Sequence, residues 1–161
     1  AGDGELAKQF AELRQRVLGI SRNQKELAQA VIEMRNKMVA HMGSSPATRG
    51  EQFDIKHDPG GIVDIEFLVQ FWVLAWANSQ HSLLDYTDNI RILGSIQKAG
   101  LLTKQQVQQL IDAYKAYRSI GHSRALAQQT GTVDAQQFSE QIQQVTQLWQ
   151  AHLVVHTDKE T

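Results

Sequence analysis

Apolar residues recur at three- and four-residue steps along most of this chain. Leu6, Phe10, Leu13 and Val17 do so first, which predicts an amphipathic opening helix. Ser21 followed by Gln24 predicts a capping box for a second helix reaching about Met42, with Leu27, Val31, Met34, Met38 and Met42 on its apolar side. Gly43 stops that helix, and Ser44 to Gln52 reads as a polar loop. Phe53-Asp54-Ile55-Lys56 alternates apolar and polar, the pattern of one short strand. Pro59, Gly60 and Gly61 then turn the chain into a helix over about Ile62 to Asn78 that is apolar nearly all round. Thr87 or Asp88 caps a helix over Asn89 to Ala99, and Thr103 opens another reaching about Gln128, with Gly121 a weak point. Gly131 and Asp134 separate it from a last helix striped by Phe138, Ile142, Val145, Trp149 and Leu153.

The fold class expected is all-α, a bundle of five to six helices with one extended segment near 53–56. A lone strand is unstable, so its partner is expected outside this chain. The tryptophans at 72, 76 and 149 fall on apolar stripes and are expected in the core.

The chain has 161 residues, the size of one domain with a proper core. Sixteen Lys and Arg against seventeen Asp and Glu leave a net charge of −1. That balance gives no field to draw the molecule onto nucleic acid or an anionic membrane. Without cysteine there is no disulfide framework or zinc–thiolate site, which fits a reducing, cytoplasmic setting. The first residues lack the basic and apolar regions of a signal peptide and begin without methionine, as a piece of something longer would. The apolar run from Phe67 to Ala77 is too short to span a bilayer.

The candidate chemistry lies at the start of the apolar helix, where Asp64 and Glu66 stand with Gln70 one turn on from Glu66. A buried carboxylate without a partner costs several kcal/mol, so something must meet these groups. Two residues apart on a helix, Asp64 and Glu66 point to nearly opposite sides and cannot form a metal pair alone. Asp64 has a simple role in complementing the helix dipole. Glu66 calls for a cation, with Arg35, Lys37, Lys56 and Arg118 available. Gly60 and Gly61 suit either a tight turn or phosphate binding by bare N–H groups; the adjacent carboxylates favour the turn. His122, one turn from Arg118, reads as a packed or surface residue, and His41 at the end of the second helix as complementing the negative helix terminus. No nucleotide-binding glycine loop, zinc-protease or serine-hydrolase motif occurs.

Read together, RNKMVAH from Arg35, FDIKHDPGGIVDIEFLVQ from Phe53, DNIRIL from Asp88 and AYKAYRSIGHSRAL from Ala113 carry a resemblance. In that order, over about residues 5–153, they resemble the carboxy-terminal helical domain of the bifunctional glutamine synthetase adenylyltransferase/adenylyl-removing enzymes. A related helical domain follows the nucleotidyltransferase domain of PII uridylyltransferases. The resemblance implies that residues 1–161 are one helical domain of a larger enzyme, with a nucleotidyltransferase domain upstream. That parent would transfer AMP from ATP to a tyrosine of glutamine synthetase and remove it by phosphorolysis, under control of PII protein and glutamine. Mg2+ and ATP would serve the full-length enzyme, with metal carboxylates in the upstream domain, and none would be held by this fragment, which is expected to be inactive alone. Partners implied are the upstream domain, glutamine synthetase and the PII signal protein, with no nucleic acid and no membrane.

On this reading Arg35, Lys56, Asp58, Gly60, Gly61, Asp64, Glu66, Gln70 and Arg118 form a cleft or interdomain face. Lys56, Asp58, Asp64 and Glu66, with Arg35 behind them, would order that interface and touch nucleotide or metal. The missing domain would also supply the strand partner. Two other readings stand behind this one: a regulatory module binding PII protein or glutamine, and a free-standing bundle with no enzyme attached.

Overall fold

A computed structural model of the chain describes residues 2–45 and 47–154, which leaves Pro46 outside. Six α-helices dominate: α1 (Gly2–Leu18), α2 (Gln24–Met42), α3 (Ile62–Trp76), α4 (Asn89–Lys98), α5 (Lys104–Leu126) and α6 (Ser139–Trp149). The last continues into a π-type turn over Gln150–Val154. The all-α bundle expected from periodicity is the fold observed.

Helix α3 is the axis, contacting α2, α4, α5 and α6. Trp72, Phe71, Ile65 and Leu68 of α3 are buried with Leu93 and Ile96 of α4, Leu110 and Tyr117 of α5, and Leu153. Burial of each large side chain is worth about 1.5–3 kcal/mol, so an axis this apolar fixes where its neighbours sit. Trp72 stacks on the half-buried Trp76 at 6.2 Å and meets the edge of His152 at 5.2 Å. Trp149 is half-buried against the same core.

Capping follows local chemistry. Thr103 and Gln106 form a reciprocal capping box at α5, and the Asp88 side chain accepts from the N–H of Arg91 at α4. Thr103→Ala should cost about 1 kcal/mol, read as a lowered midpoint in urea with an unchanged slope. At α2 the expected Ser21–Gln24 box does not form. Asn23 is the cap instead, its Oδ1 accepting from Lys25 N at 3.0 Å and Glu26 N at 3.3 Å. Asn23 competes because Glu26 stands three residues on and accepts from its amide. Gly121 does not weaken α5, which runs through it unbroken. Its missing side chain leaves room for Ile55, whose Cδ1 would lie 3.2 Å from an added Cβ.

The strand β1 (Gln52–Asp54) finds its partner within the chain. It pairs antiparallel with β2 (Thr132–Asp134), setting Phe53 opposite Val133. Ile55 N to Gly131 O and Ala135 N to Glu51 O extend the ladder at both ends. This overturns the expectation of a strand partner in another domain. The three residues of β2 are too few to show alternation beside Gly131, so they read as a link between helices. The extended segment also ends earlier than 53–56: Asp54 Oδ1 accepts from Lys56 N at 2.8 Å and His57 N at 3.0 Å, turning the chain at once.

The apolar sides of α1 and α2 depart from their sequence reading. Leu27, Val31 and Met38 of α2 face inward as expected, but Met34 and Met42 are exposed and Arg35 is buried. The stripe on α1 faces outward: Leu6, Phe10, Leu13 and Val17, with Ile20 beyond the helix end, are all between 47% and 68% exposed. Among the described hydrophobic side chains of α1, Leu18 alone packs on the core.

Candidate functional site

The segment from Asp54 to Glu66 separates into a closed inner layer and an open outer one. The inner layer is a knot of buried charges around the Pro-Gly-Gly turn. Arg35, from α2, donates through Nε to Asp64 Oδ1, and through Nη2 to the carbonyls of His57 (2.8 Å) and Asp58 (3.1 Å). Asp64 also accepts from Gly60 N at 2.6 Å. The Asp58 carboxylate accepts from Ser44 N at 2.6 Å and from Asp54 N at 2.8 Å. Arg35, Asp58 and Asp64 are each no more than 4% exposed. Burial pushes the Asp64 carboxyl above its ordinary value, while the Arg35 charge and the Gly60 N–H pull it back. Burial, and then the Asp64 charge, push the phenol of Tyr117 upward.

The glycines fit this knot for steric reasons. Gly60 adopts φ +89°, and a Cβ there would lie 2.9 Å from Ile142 Cγ2. A Cβ on Gly61 would lie 2.8 Å from Ile55 O, because the turn folds back against the loop. Ile62 N and Val63 N reach back to Ile55 O (2.9 Å) and Lys56 O (3.2 Å), so loop carbonyls satisfy the first turn of α3 in place of a side-chain cap. The tight-turn reading of Gly60-Gly61 therefore agrees with the geometry. Both glycines are buried and Gly60 N is engaged by Asp64.

The expected acidic entrance open to a neighbouring domain is thus replaced, at Asp58 and Asp64, by groups closed off within the chain. Their partners are one arginine from α2 and backbone N–H groups, which sequence spacing does not reveal. Arg35 serves Asp64 and not Glu66.

The outer layer lies on the opposite side of α3, where α3, α4 and α5 meet. Tyr114 on α5 donates its hydroxyl to Glu66 Oε1 at 3.3 Å. The same hydroxyl accepts from Asn89 Nδ2 at 3.1 Å and Arg118 Nη1 at 3.3 Å. Arg118 also lies over the Tyr114 ring, 5.7 Å from its centroid. Arg118 and Gln70 are exposed and Glu66 is half-buried. Asn89 and Gln70 continue into a cleft of about 310 Å³, lined also by Arg14, Leu18, Val73 and Thr87.

The structure therefore brings Glu66, Gln70 and Arg118 to one accessible face, joined by Asn89 and Tyr114. Of the cations available to Glu66, Arg118 is the one that shares this network, through the Tyr114 hydroxyl. Lys56 is exposed at the loop, outside these contacts. Asn89 was missed by sequence reasoning, because the start of α4 approaches Tyr114 only through helix packing. The signal for Tyr114 was its spacing of four from Arg118. A glutamine-rich groove of about 680 Å³ between α5 and α6, lined by residues such as Gln108, Asp112 and Glu140, meets none of the nine candidates.

What this layer can do chemically is narrow. One half-buried carboxylate, one guanidinium, a phenol and two amides can bind and orient a polar group. Among the described residues no three His, Asp or Glu come together to hold a metal, and Asp58 and Asp64 are already spent on N–H donors. Among the described residues, the donor set of this face does not fit a Mg2+ site. Among the described residues no helix is long and apolar enough to cross a membrane.

Comparison with known proteins agrees with the motif strings. The profile of the GlnD PII-uridylyltransferase family matches residues 29–149, which include both layers. A bifunctional glutamine synthetase adenylyltransferase/adenylyl-removing enzyme of Thioalkalivibrio sulfidiphilus is 46% identical over 149 residues, covering 92% of this chain and 15% of that protein. The proteins of the same name from Pseudomonas syringae pv. tomato and Nitrosococcus oceani are 42% and 43% identical, covering 92% and 95% of this chain and 16% of theirs. The chain thus spans less than a fifth of the length of these relatives. With the family profile covering most of its length, the chain belongs to the GlnD PII-uridylyltransferase family and is similar to one segment of these larger two-activity enzymes.

Proposed function

We propose that this chain is a non-catalytic helical domain of a glutamine synthetase adenylyltransferase. In this reading it supports ATP-dependent transfer of AMP to a tyrosine of glutamine synthetase. The nucleotidyltransferase domain upstream would hold ATP and Mg2+, and the enzyme would work in the cytoplasm under PII control. The observation that carries the reading is the accessible Glu66–Tyr114–Asn89–Arg118 network, set on a bundle similar to a segment of enzymes bearing that name. A polar wall held by three helices can position a partner or substrate group with little reorganisation, and positioning supplies much of the rate in phosphoryl transfer.

Glu66→Gln keeps the shape of the side chain and removes its charge. In the full-length enzyme it should lower AMP transfer at least tenfold, about 1.4 kcal/mol of barrier, while the melting temperature stays within ~2 °C. Equal losses of activity and stability would reduce Glu66 to a packing role.

A second reading, a regulatory module for PII protein or glutamine, draws on the exposed apolar side of α1. It requires heat on titrating this segment alone with either one.

A further inference from the structure

Leu6, Phe10, Leu13, Val17 and Ile20 follow one another at steps of four, three, four and three. That is the 3.5-residue spacing of a coiled-coil seam, and all five are exposed. On a helix of 3.6 residues per turn the seam lies about a quarter-turn from Arg14 and Leu18, the two residues that tie α1 to the bundle. Arg14 donates to the carbonyls of Leu84 and Tyr86, and Leu18 packs on the core. Arg22 closes the end of α1 by donating to Val17 O at 2.7 Å, Leu18 O at 3.0 Å and Ile20 O at 2.8 Å. The helix is therefore anchored to the bundle through Arg14 and Leu18 in its carboxy-terminal half, with its seam exposed.

We infer that this seam is an intramolecular docking face, covered in the full-length protein by an amphipathic helix from the polypeptide outside this segment. The inference rests on the reading that the chain works inside a longer enzyme. Size selects the occupant. Five partly exposed side chains offer on the order of 500 Å², below the roughly 800 Å² per partner of a stable standard interface. A second copy or a free protein would in addition lose translational and rotational freedom, at a cost of at least about 4 kcal/mol. A helix tethered to the same chain meets it at an effective concentration on the order of millimolar. The curated relatives carry more than four-fifths of their length beyond the matched segment, ample to supply one.

Hydrogen exchange on the full-length protein and on the 161-residue chain tests this directly. Amides of residues 6–20 should exchange at least tenfold more slowly in the full-length protein. The Phe10→Glu/Leu13→Glu variant should remove that difference and leave α3 and α5 protection unchanged in both proteins, since neither side chain is in the core. Equal exchange of residues 6–20 in the two proteins overturns the inference. So does protection in the short chain that rises with its concentration, which would make the occupant a second copy, or that appears on adding a PII protein. The readout is independent of AMP transfer, so a failed Glu66 result and a failed docking result are told apart.

Discussion

Arg35→Ala is expected to destabilise the domain by about 3–5 kcal/mol, the largest effect of any single change in the inner layer. The substitution strips the buried Asp64 of its charge partner and frees the buried Asp58 carbonyl and the part-buried His57 carbonyl. The deficit should depend on pH in a definite sense. Burial already raises the Asp64 carboxyl above 3.8, and loss of Arg35 raises it further. A raised folded-state value means that the folded protein binds the proton more tightly than the unfolded one. The cost of ionised Asp64 is then fully present above the folded value and is relieved as pH falls through it toward 3.8. Urea unfolding of Arg35→Ala at pH 7 and pH 5 should show the gap from the parent narrowing at the lower pH. Arg35→Met combined with Asp64→Leu should recover most of the loss, because a buried ion pair replaced whole by apolar groups is often neutral. A double variant as unstable as the single one would show that the carbonyl contacts, and not the charge pair, hold the turn.

Gly60→Ala should cost about 3 kcal/mol. Two separate penalties meet there: φ of +89° strains any L side chain, and the new methyl lands within 3.2 Å of Ile142 backbone and side-chain atoms. Gly100→Ala is the natural control, since Gly100 has φ +72° with nothing within 4 Å of an added Cβ. It carries the strain alone and should cost about 1 kcal/mol. Thermal melting of the pair separates backbone strain from crowding; equal losses would mean that α6 moves aside without cost.

These two variants mark the boundary of what the sequence makes legible. Helix periods, the Thr103 and Asp88 caps and the divergence of Asp64 from Glu66 all follow from local spacing. The burial of Arg35 does not, because a cation among Met34, Asn36 and Lys37 has the look of a solvated face. Its destination depends on α3 lying across α2. The pairing of Phe53 with Val133 was invisible for a related reason: three residues carry no period, and their partner is decided by where α5 ends. A cation is expected at Glu66, but the group that meets it is the Tyr114 phenol, which stands between Glu66 and Arg118 and shares a helix with that arginine. The apolar stripe of α1 was legible as a pattern, but a pattern does not say whether its cover lies in this bundle or elsewhere.

The antiparallel join between residues 52–54 and 132–134 has a consequence for how the protein is made. Its halves are separated by α3, α4 and α5, so closing it is entropically unfavourable until those helices stand in place. A ribosome delivers the early half first. The Asp54–Gly61 bend therefore waits, only partly braced, until residue 134 has emerged, and a nascent chain halted before that point should be cut by protease within this bend.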